Sequence, residues 1–206
     1  MADDDGDDVW RADAGPPQAS VDLYWIPLGA GAFVVRLSGK LFESMVALRQ
    51  RRPQLDLYHS ALEITVPTGS FVIEMTPVPD DDGERRGVVA GGAVGTRWAG
   101  RLRIFRYEIR RWQHGVIPDA AEAVGGPLRV SDDLATAQRI LDLVPSVPTP
   151  VWGRDELSAG EMWNSNSVTS WLLALAGVDV APLAPPAGGR APGWDPGLVV
   201  ADRALA

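Results

Sequence analysis

The chain holds only two histidines, His59 and His114, so few side chains can exchange protons near neutral pH. His59 lies in the β-favouring stretch 58–64, whereas His114 precedes Gly115 and has the surroundings of a loop residue. A lone histidine in a strand more often has a structural than a catalytic role. His59 becomes a candidate general base only if an acid and a nucleophile are placed beside it.

Glu74 is the candidate acid that would orient His59. It lies in the largely apolar stretch 72–77, where a carboxylate costs stability unless it is paired or faces a cleft. If residues 57–78 form a hairpin, Glu74 could lie across from His59 and fix its tautomer through a hydrogen bond. A slip of one residue would put the two side chains on opposite faces, and Glu63 is then the alternative partner. The simpler interpretation is that either glutamate faces solvent.

Ser165 is the candidate nucleophile. It follows Trp163 and stands between Asn164 and Asn166, at the start of a helix predicted over 164–177. The N-terminal end of a helix favours negative charge, and its free N–H groups can stabilise an oxyanion. Serine and asparagine are also the residues that best cap a helix, and the local sequence alone favours this structural role.

The spacing of apolar residues predicts the elements that would position these side chains. Polar and Gly-rich residues 80–95 are predicted to form a surface loop. The order of the elements, mainly strands between helices at the two ends, predicts an α+β fold and not a βαβ arrangement. Strands are predicted over 21–28, 33–37, 57–66, 70–78 and 102–109, and helices over 39–53, 131–144 and 164–177.

The two ends of the chain differ in composition from the middle. Residues 1–18 carry a charge of −5 out of the total of −8 and are predicted to be a disordered acidic tail. The domain itself is predicted over 19–180. A C-terminal extension over 181–206 opens with a Pro/Gly-rich stretch that predicts no regular structure, with Arg190 and Trp194 as its anchors.

Composition disfavours several kinds of site. The chain has no cysteine, which removes disulfides, thiolate ligands and a thiol nucleophile and is typical of a cytoplasmic protein. Two distant histidines without a group of carboxylates predict no metal, and no cofactor is expected. The acidic net charge disfavours nucleic acid as a partner. No apolar run approaches the ~18 residues of a membrane span.

Residues 101–112 interleave arginines with aromatic residues, a pattern that can indicate nucleic-acid binding. An exposed strand explains the same alternation more simply. In that interpretation Phe105, Tyr107 and Ile109 point inward and the arginines face solvent.

The order of these motifs resembles that of circularly permuted papain-like proteins, including the lecithin:retinol acyltransferase-like group. In that family, strands bearing a histidine and a third polar residue precede a helix that opens with Asn-Cys-Asn or Asn-Cys-Glu. This chain has His59 in YHSALEI, Glu74 in FVIEMTP and Ser165 in NSNSV, in that order. The similarity spans residues 21–178, and serine stands where the family has cysteine. The overall pattern also resembles an actinobacterial family to which no activity is attached.

The resemblance implies an α+β fold in which an antiparallel sheet packs against the nucleophile-bearing helix. It implies a hydrolase or acyltransferase acting on an amide or ester, in a small molecule, a peptide or a lipid. Ser165 would attack, His59 would act first as base and then as acid, and Glu74 would orient His59. The residues that would hold the oxyanion or line the cleft are Asn164, Asn166, Trp163 and Tyr58.

Serine in place of cysteine leaves other interpretations open. A serine needs a base to remove its proton during attack, so activity depends on geometry. Asp155 or Glu156 is an alternative to Glu74 as the orienting acid. A fold that has lost activity would serve as a binding module for a peptide or lipid. A structural protein whose Trp-rich surface contacts a partner or a second copy is the third class, and the oligomeric state stays open.

Overall fold

The computed structural model describes residues 18–28, 55–78, 87–117 and 119–206. The strand predicted over 33–37, the helix predicted over 39–53 and nearly all of the predicted acidic tail lie outside the described residues. The described elements are helices and an antiparallel sheet, so the α+β class is confirmed.

The described strands are β1 (Ser20–Pro27), β2 (Asp56–Val66), β3 (Gly69–Pro77), β4 (Val88–Ala93), β5 (Arg106–Gln113), β6 (Leu128–Ser131) and β7 (Gly189–Arg190). The described α-helices are α1 (Leu134–Leu143), α2 (Ser165–Leu175) and α3 (Trp194–Leu205).

Six strands form one antiparallel sheet in the order β4-β5-β3-β2-β1-β6. The short strand β7 pairs in parallel with the start of β2. Strands β2 and β3 meet at a tight turn, with Val66 opposite Gly69, and this confirms the predicted hairpin. The centre of the sheet is therefore the hairpin that carries two of the three predicted catalytic residues.

The sheet has two faces with different functions in folding. Alternate side chains such as Leu23, Leu62 and Ile73 are fully or almost fully buried in one large core, which α1 and α2 complete. Helix α3 then packs on α2. Burial of each large apolar side chain contributes about 1.5–3 kcal/mol, so this face accounts for most of the packing energy. The opposite face carries a smaller apolar cluster around Ile26 and Val72.

Residues 88–93 form an edge strand, so the loop predicted over 80–95 was wrong for that part. Gly91 and Gly92 suggested a loop, but both lie against Tyr107 of β5. A Cβ atom at Gly91 would come within 2.6 Å of the Tyr107 carbonyl oxygen, and one at Gly92 within 2.6 Å of the Tyr107 hydroxyl. The glycines therefore allow two strands to approach each other closely.

Strand β5 begins at Arg106, later than the strand predicted over 102–109. The residues before it form two 3-10 turns, Ala99–Arg101 and Arg103–Phe105. Tyr107 and Ile109 are buried as predicted, whereas the inward orientation predicted for Phe105 was wrong.

Helix α3 begins at Trp194, inside the stretch for which no regular structure was predicted. Pro196 lies in the first turn, where backbone N–H groups have no partner within the helix, so proline is tolerated there. Trp194 packs against Trp25 with ring centroids 4.9 Å apart, and Arg190 forms an ion pair with Glu161. Both predicted anchors of this segment are confirmed.

We expect Gly197→Ala to destabilise the protein, although alanine normally stabilises a helix relative to glycine by about 1 kcal/mol. A Cβ atom at Gly197 would lie 2.0 Å from the Ser170 hydroxyl and 2.3 Å from the Ser167 carbonyl oxygen, so α3 would have to move away from α2. The expected loss is about 2 kcal/mol, measured by urea unfolding. A stabilised variant would contradict this account of the α2–α3 contact.

Candidate functional site

Helix α2 begins at Asn164 because that side chain satisfies the first free N–H groups of the helix. Its Oδ1 accepts hydrogen bonds from the backbone N–H of Asn166 at 2.9 Å and of Ser167 at 3.4 Å. The Ser167 hydroxyl in turn accepts the backbone N–H of Asn164 at 3.1 Å. This reciprocal arrangement is a capping box. The capping role favoured by the local sequence is thus confirmed for Asn164.

The Asn166 side chain joins three separate parts of the fold. Its Oδ1 accepts a hydrogen bond from the Ser60 hydroxyl of β2 at 2.9 Å. Its Nδ2 donates to the Tyr58 carbonyl at 3.0 Å and to the Pro192 carbonyl at 2.8 Å. Asn166 is only 1% exposed, and a buried amide needs these partners. We refer to the side chains of Asn164, Asn166, Ser167, Ser170 and Ser60, with their partners, as the Asn166 network.

The serines that follow bind α2 to the start of α3. The Ser167 hydroxyl donates to the Gly193 carbonyl at 2.7 Å, and the Ser170 hydroxyl donates to the Trp194 carbonyl at 2.7 Å. Asn164 Nδ2 adds a bond to the Pro192 carbonyl at 2.8 Å. The polar residues around Ser165 are therefore occupied in holding the two helices together.

Ser165 itself is the first residue of α2 and is 7% exposed. Its hydroxyl forms no hydrogen bond with the described residues, so it lacks the basic partner that a serine nucleophile requires. The N-terminal position agrees with the sequence-based prediction, but the side chain that binds the Ser60 hydroxyl of β2 is that of Asn166 and not that of Ser165.

His59 projects from the face of the sheet opposite to α2. Side chains alternate along β2, and the Ser60 hydroxyl points to Asn166, so the His59 ring next to it points the other way. The structure therefore does not bring His59 and Ser165 together. Burial lowers the pKa of His59 to about 4, and the nearby charge of Asp119 only partly opposes this effect. His59 is uncharged at neutral pH.

Glu74 is bound by an arginine. The Arg110 guanidinium, in a residue only 3% exposed, donates to Glu74 at 3.0 Å and to Glu108 at 3.1 Å. This pairing explains how an acid is accommodated among apolar residues. No hydrogen bond among the described residues joins Glu74 to His59, so the predicted orienting contact is not formed.

The alternative acids also have partners of their own. Glu63 accepts a hydrogen bond from the Tyr24 hydroxyl at 2.6 Å. Burial, and secondarily this bond to Glu63, raises the pKa of Tyr24. Asp155 accepts the backbone N–H groups of Ala159 at 2.6 Å and of Gly160 at 2.9 Å. Glu63 and Asp155 thus stabilise local structure.

Glu156 forms a two-bond ion pair with Arg97, at 3.0 and 3.1 Å, and also accepts the backbone N–H of Val151 at 3.0 Å. The hydrogen bond from Arg97 is the main reason why the pKa of Glu156 is lowered. Tyr58 and Trp163, predicted to line a cleft, are both buried in the large core. The predicted site residues thus serve packing and hydrogen bonding at several separate places.

A different surface of the protein exposes large apolar side chains and was not predicted from the sequence. Residues 96–106, which we call the arginine loop, connect β4 to β5 and expose several large apolar side chains. Trp98 is 73% exposed and Ile104 77% exposed. Leu102 and Phe105 are exposed as well. The signal in the sequence was the interleaving of arginines with aromatic residues. It was interpreted as an exposed strand, so the exposed apolar loop was not predicted.

The backbone of the arginine loop is held at its base. Val94 N–H donates to the Phe105 carbonyl at 2.8 Å, and Gly95 N–H donates to the Trp152 carbonyl at 3.0 Å. The Arg154 side chain also binds the Gly95 carbonyl. Beside the loop, a groove of about 440 Å³ runs along β4 and is lined by Val78, Val88, Ala90, Arg103 and Arg106.

Within the described ranges, no group of histidine, aspartate and glutamate side chains has the arrangement of a metal site. In the same part of the chain, no helix has both the length and the apolar character needed to cross a bilayer. Comparisons with protein-family models, curated proteins and solved structures give no match. The papain-like resemblance therefore stays a prediction.

We expect Asn166→Ala to lower the free energy of unfolding by about 3 kcal/mol, because it leaves the buried Ser60 hydroxyl without its partner and removes one hydrogen bond from each of the Tyr58 and Pro192 carbonyls. The adjacent Ser165→Ala serves as the matched control and should cost less than 1 kcal/mol. Urea unfolding of both variants measures the difference. Equal losses would contradict the central role of Asn166.

The lowered pKa of His59 predicts a pH-dependent stability. The unfolded chain takes up a proton near pH 6.5 and the folded chain only near pH 4, so stability falls as the pH drops through this window. The shift corresponds to a loss on the order of 3 kcal/mol. His59→Asn should remove this part of the pH dependence in urea unfolding at pH 4.5 and 7, and His114→Asn should not. Parallel profiles for all three proteins would refute the assignment.

Proposed function

We propose that this protein is a non-catalytic binding module for a peptide or a lipid. The observation that carries the proposal is the position of His59 and Ser165 on opposite sides of the sheet. A serine hydrolase requires its base within hydrogen-bond reach of the nucleophile. A rearrangement that joined them would have to turn a central strand over and expose its core face to solvent.

The hydrogen bonds around Ser165 support the same proposal. Both asparagines that flank Ser165 are already bound to backbone or to Ser60, so their amides are not directed at a substrate. Asn164 caps two of the N–H groups at the start of α2, those of Asn166 and Ser167, so neither is free to bind an oxyanion. The residue types that would form a nucleophile site therefore serve here to cap α2 and to hold it against β2 and the start of α3.

The packing of α2 on an antiparallel sheet agrees with the permuted papain-like arrangement, which we retain as part of the proposal. In this interpretation the fold is a scaffold from which the reactive residues have been lost. A cytoplasmic location, which the lack of cysteine favours, belongs to the same proposal.

The arginine loop is the proposed binding surface. Large apolar side chains exposed to water on an anchored backbone mark an interaction site, because they gain stability only when a partner covers them. The groove beside the loop extends this surface along the edge strand β4. Binding there requires neither Ser165 nor His59.

We expect a fluorophosphonate probe to leave Ser165 unmodified, because its hydroxyl is nearly buried and contacts no base among the residues that the structure describes. Intact-mass spectrometry of the treated protein, with a known serine hydrolase as positive control, measures the modification. Stoichiometric labelling that disappears in both Ser165→Ala and His59→Ala would overturn the proposed function and restore the serine hydrolase.

A further inference from the structure

The arginine loop combines two properties that are rarely found together on a water-facing surface. Its apolar residues project into solvent, with Trp98 and Ile104 each about three-quarters exposed. Its sequence, TRWAGRLRIFR, contains no acidic residue and four arginines, of which Arg97 is paired with Glu156. The whole chain, in contrast, carries a net charge of −8. The loop is thus a basic, apolar projection on an acidic protein.

The exposure of these side chains is built into the fold. The hydrogen bonds from Val94 to Phe105 and from Gly95 to Trp152 fix both ends of the loop. Within it, Leu102 N–H donates to the Ala99 carbonyl at 2.9 Å, which closes a 3-10 turn. The backbone therefore presents the apolar side chains in a set conformation, and little conformational entropy is lost when a partner covers them.

We infer that the arginine loop docks on an anionic lipid surface. Tryptophan is favoured at the boundary between headgroups and acyl chains, and aliphatic side chains such as Ile104 gain by entering the acyl region. Arg101 and Arg106 are exposed and would contact lipid phosphates, to which guanidinium groups bind well. This inference rests on the proposed binding function and names the ligand of the same surface.

The shape of the loop favours a lipid surface over a peptide. A peptide would bind in the groove along the edge strand β4, where the protein would surround its side chains. Trp98 and Ile104 instead project outwards, and a bilayer can close around projecting side chains without a matching cavity. Charge complementarity selects the anionic bilayer, because the loop carries four arginines and no acidic residue on a chain whose net charge is −8. A symmetric dimer formed through the loop is disfavoured, because the arginines of the two copies would face each other.

The test is sedimentation of the full chain with vesicles of phosphatidylcholine alone, or with one-third phosphatidylserine. We expect binding to the mixed vesicles only, weakened by added salt because the attraction is between exposed charges. Ile104→Ser should reduce the partition coefficient about tenfold. Arg101→Gln should reduce it about fivefold, as each arginine near an anionic surface contributes about 1 kcal/mol.

Matched variants separate the loop from the rest of the surface. Leu205→Ser removes an aliphatic side chain of similar exposure at the end of α3, and Arg139→Gln removes an exposed arginine of α1. Both should leave the partition coefficient unchanged. Phosphatidylcholine brominated on its acyl chains, mixed into the anionic vesicles, should quench the fluorescence of the wild-type protein more than that of Trp98→Phe.

Three results would overturn the lipid assignment. These are no binding to the mixed vesicles, equal binding to neutral vesicles, and equal losses in the loop variants and their controls. If the protein does not bind vesicles but binds a polyglutamate peptide through Arg101, the ligand is a peptide and the proposed binding function still holds. If sedimentation equilibrium reveals a dimer that Ile104→Ser dissociates, the loop binds a second copy. Labelling of Ser165 by the fluorophosphonate, in contrast, would overturn the proposed function itself.

Discussion

The arrangement of this fold depends on the burial of one amide side chain. Asn166 has hydrogen bonds to β2 and to the segment before α3, and it lies in the first turn of α2. Since a buried polar group without a partner costs about 1–3 kcal/mol, these contacts must form together. The position of α2 on the sheet, and of α3 on α2, is therefore set by the need to satisfy this amide and the serines that follow it.

The same constraint explains why the sequence resembles a catalytic site. A catalytic nucleophile at the N-terminus of a helix and an N-terminal cap both require small hydroxyl and amide side chains. Both use the first free N–H groups of the helix. What distinguishes them is which residue of β2 faces the helix. Here Ser60 does, and His59, one residue earlier, is on the other face. A shift of one residue along β2 therefore decides whether a histidine or a serine faces the start of α2.

Much of the fold could be predicted because its patterns are strong. Strands β1 to β3 are rich in β-forming residues, and Val168, Trp171 and Leu172 give α2 its helical stripe. Strand β4 was missed because Gly91 and Gly92 serve close packing, and nothing local distinguishes that use from a loop. The candidate site could not be predicted beyond its residue types. The face of the sheet on which a side chain lies depends on the register, and the register is set only when the strands pair.

Polar side chains are buried around Asn166 and apolar side chains are exposed in the arginine loop, which is the reverse of their usual distribution. The first arrangement stabilises the fold, and the second is the proposed binding surface. Around Asn166, polar side chains are buried and their partners are all within the protein, so they contribute to stability and are not available to a ligand. In the arginine loop, apolar side chains are exposed on a backbone that the fold holds in place. Exposing Trp98 and Ile104 gains nothing for the folded chain alone. A partner that covers them is therefore the simplest physical reason for the fold to present them.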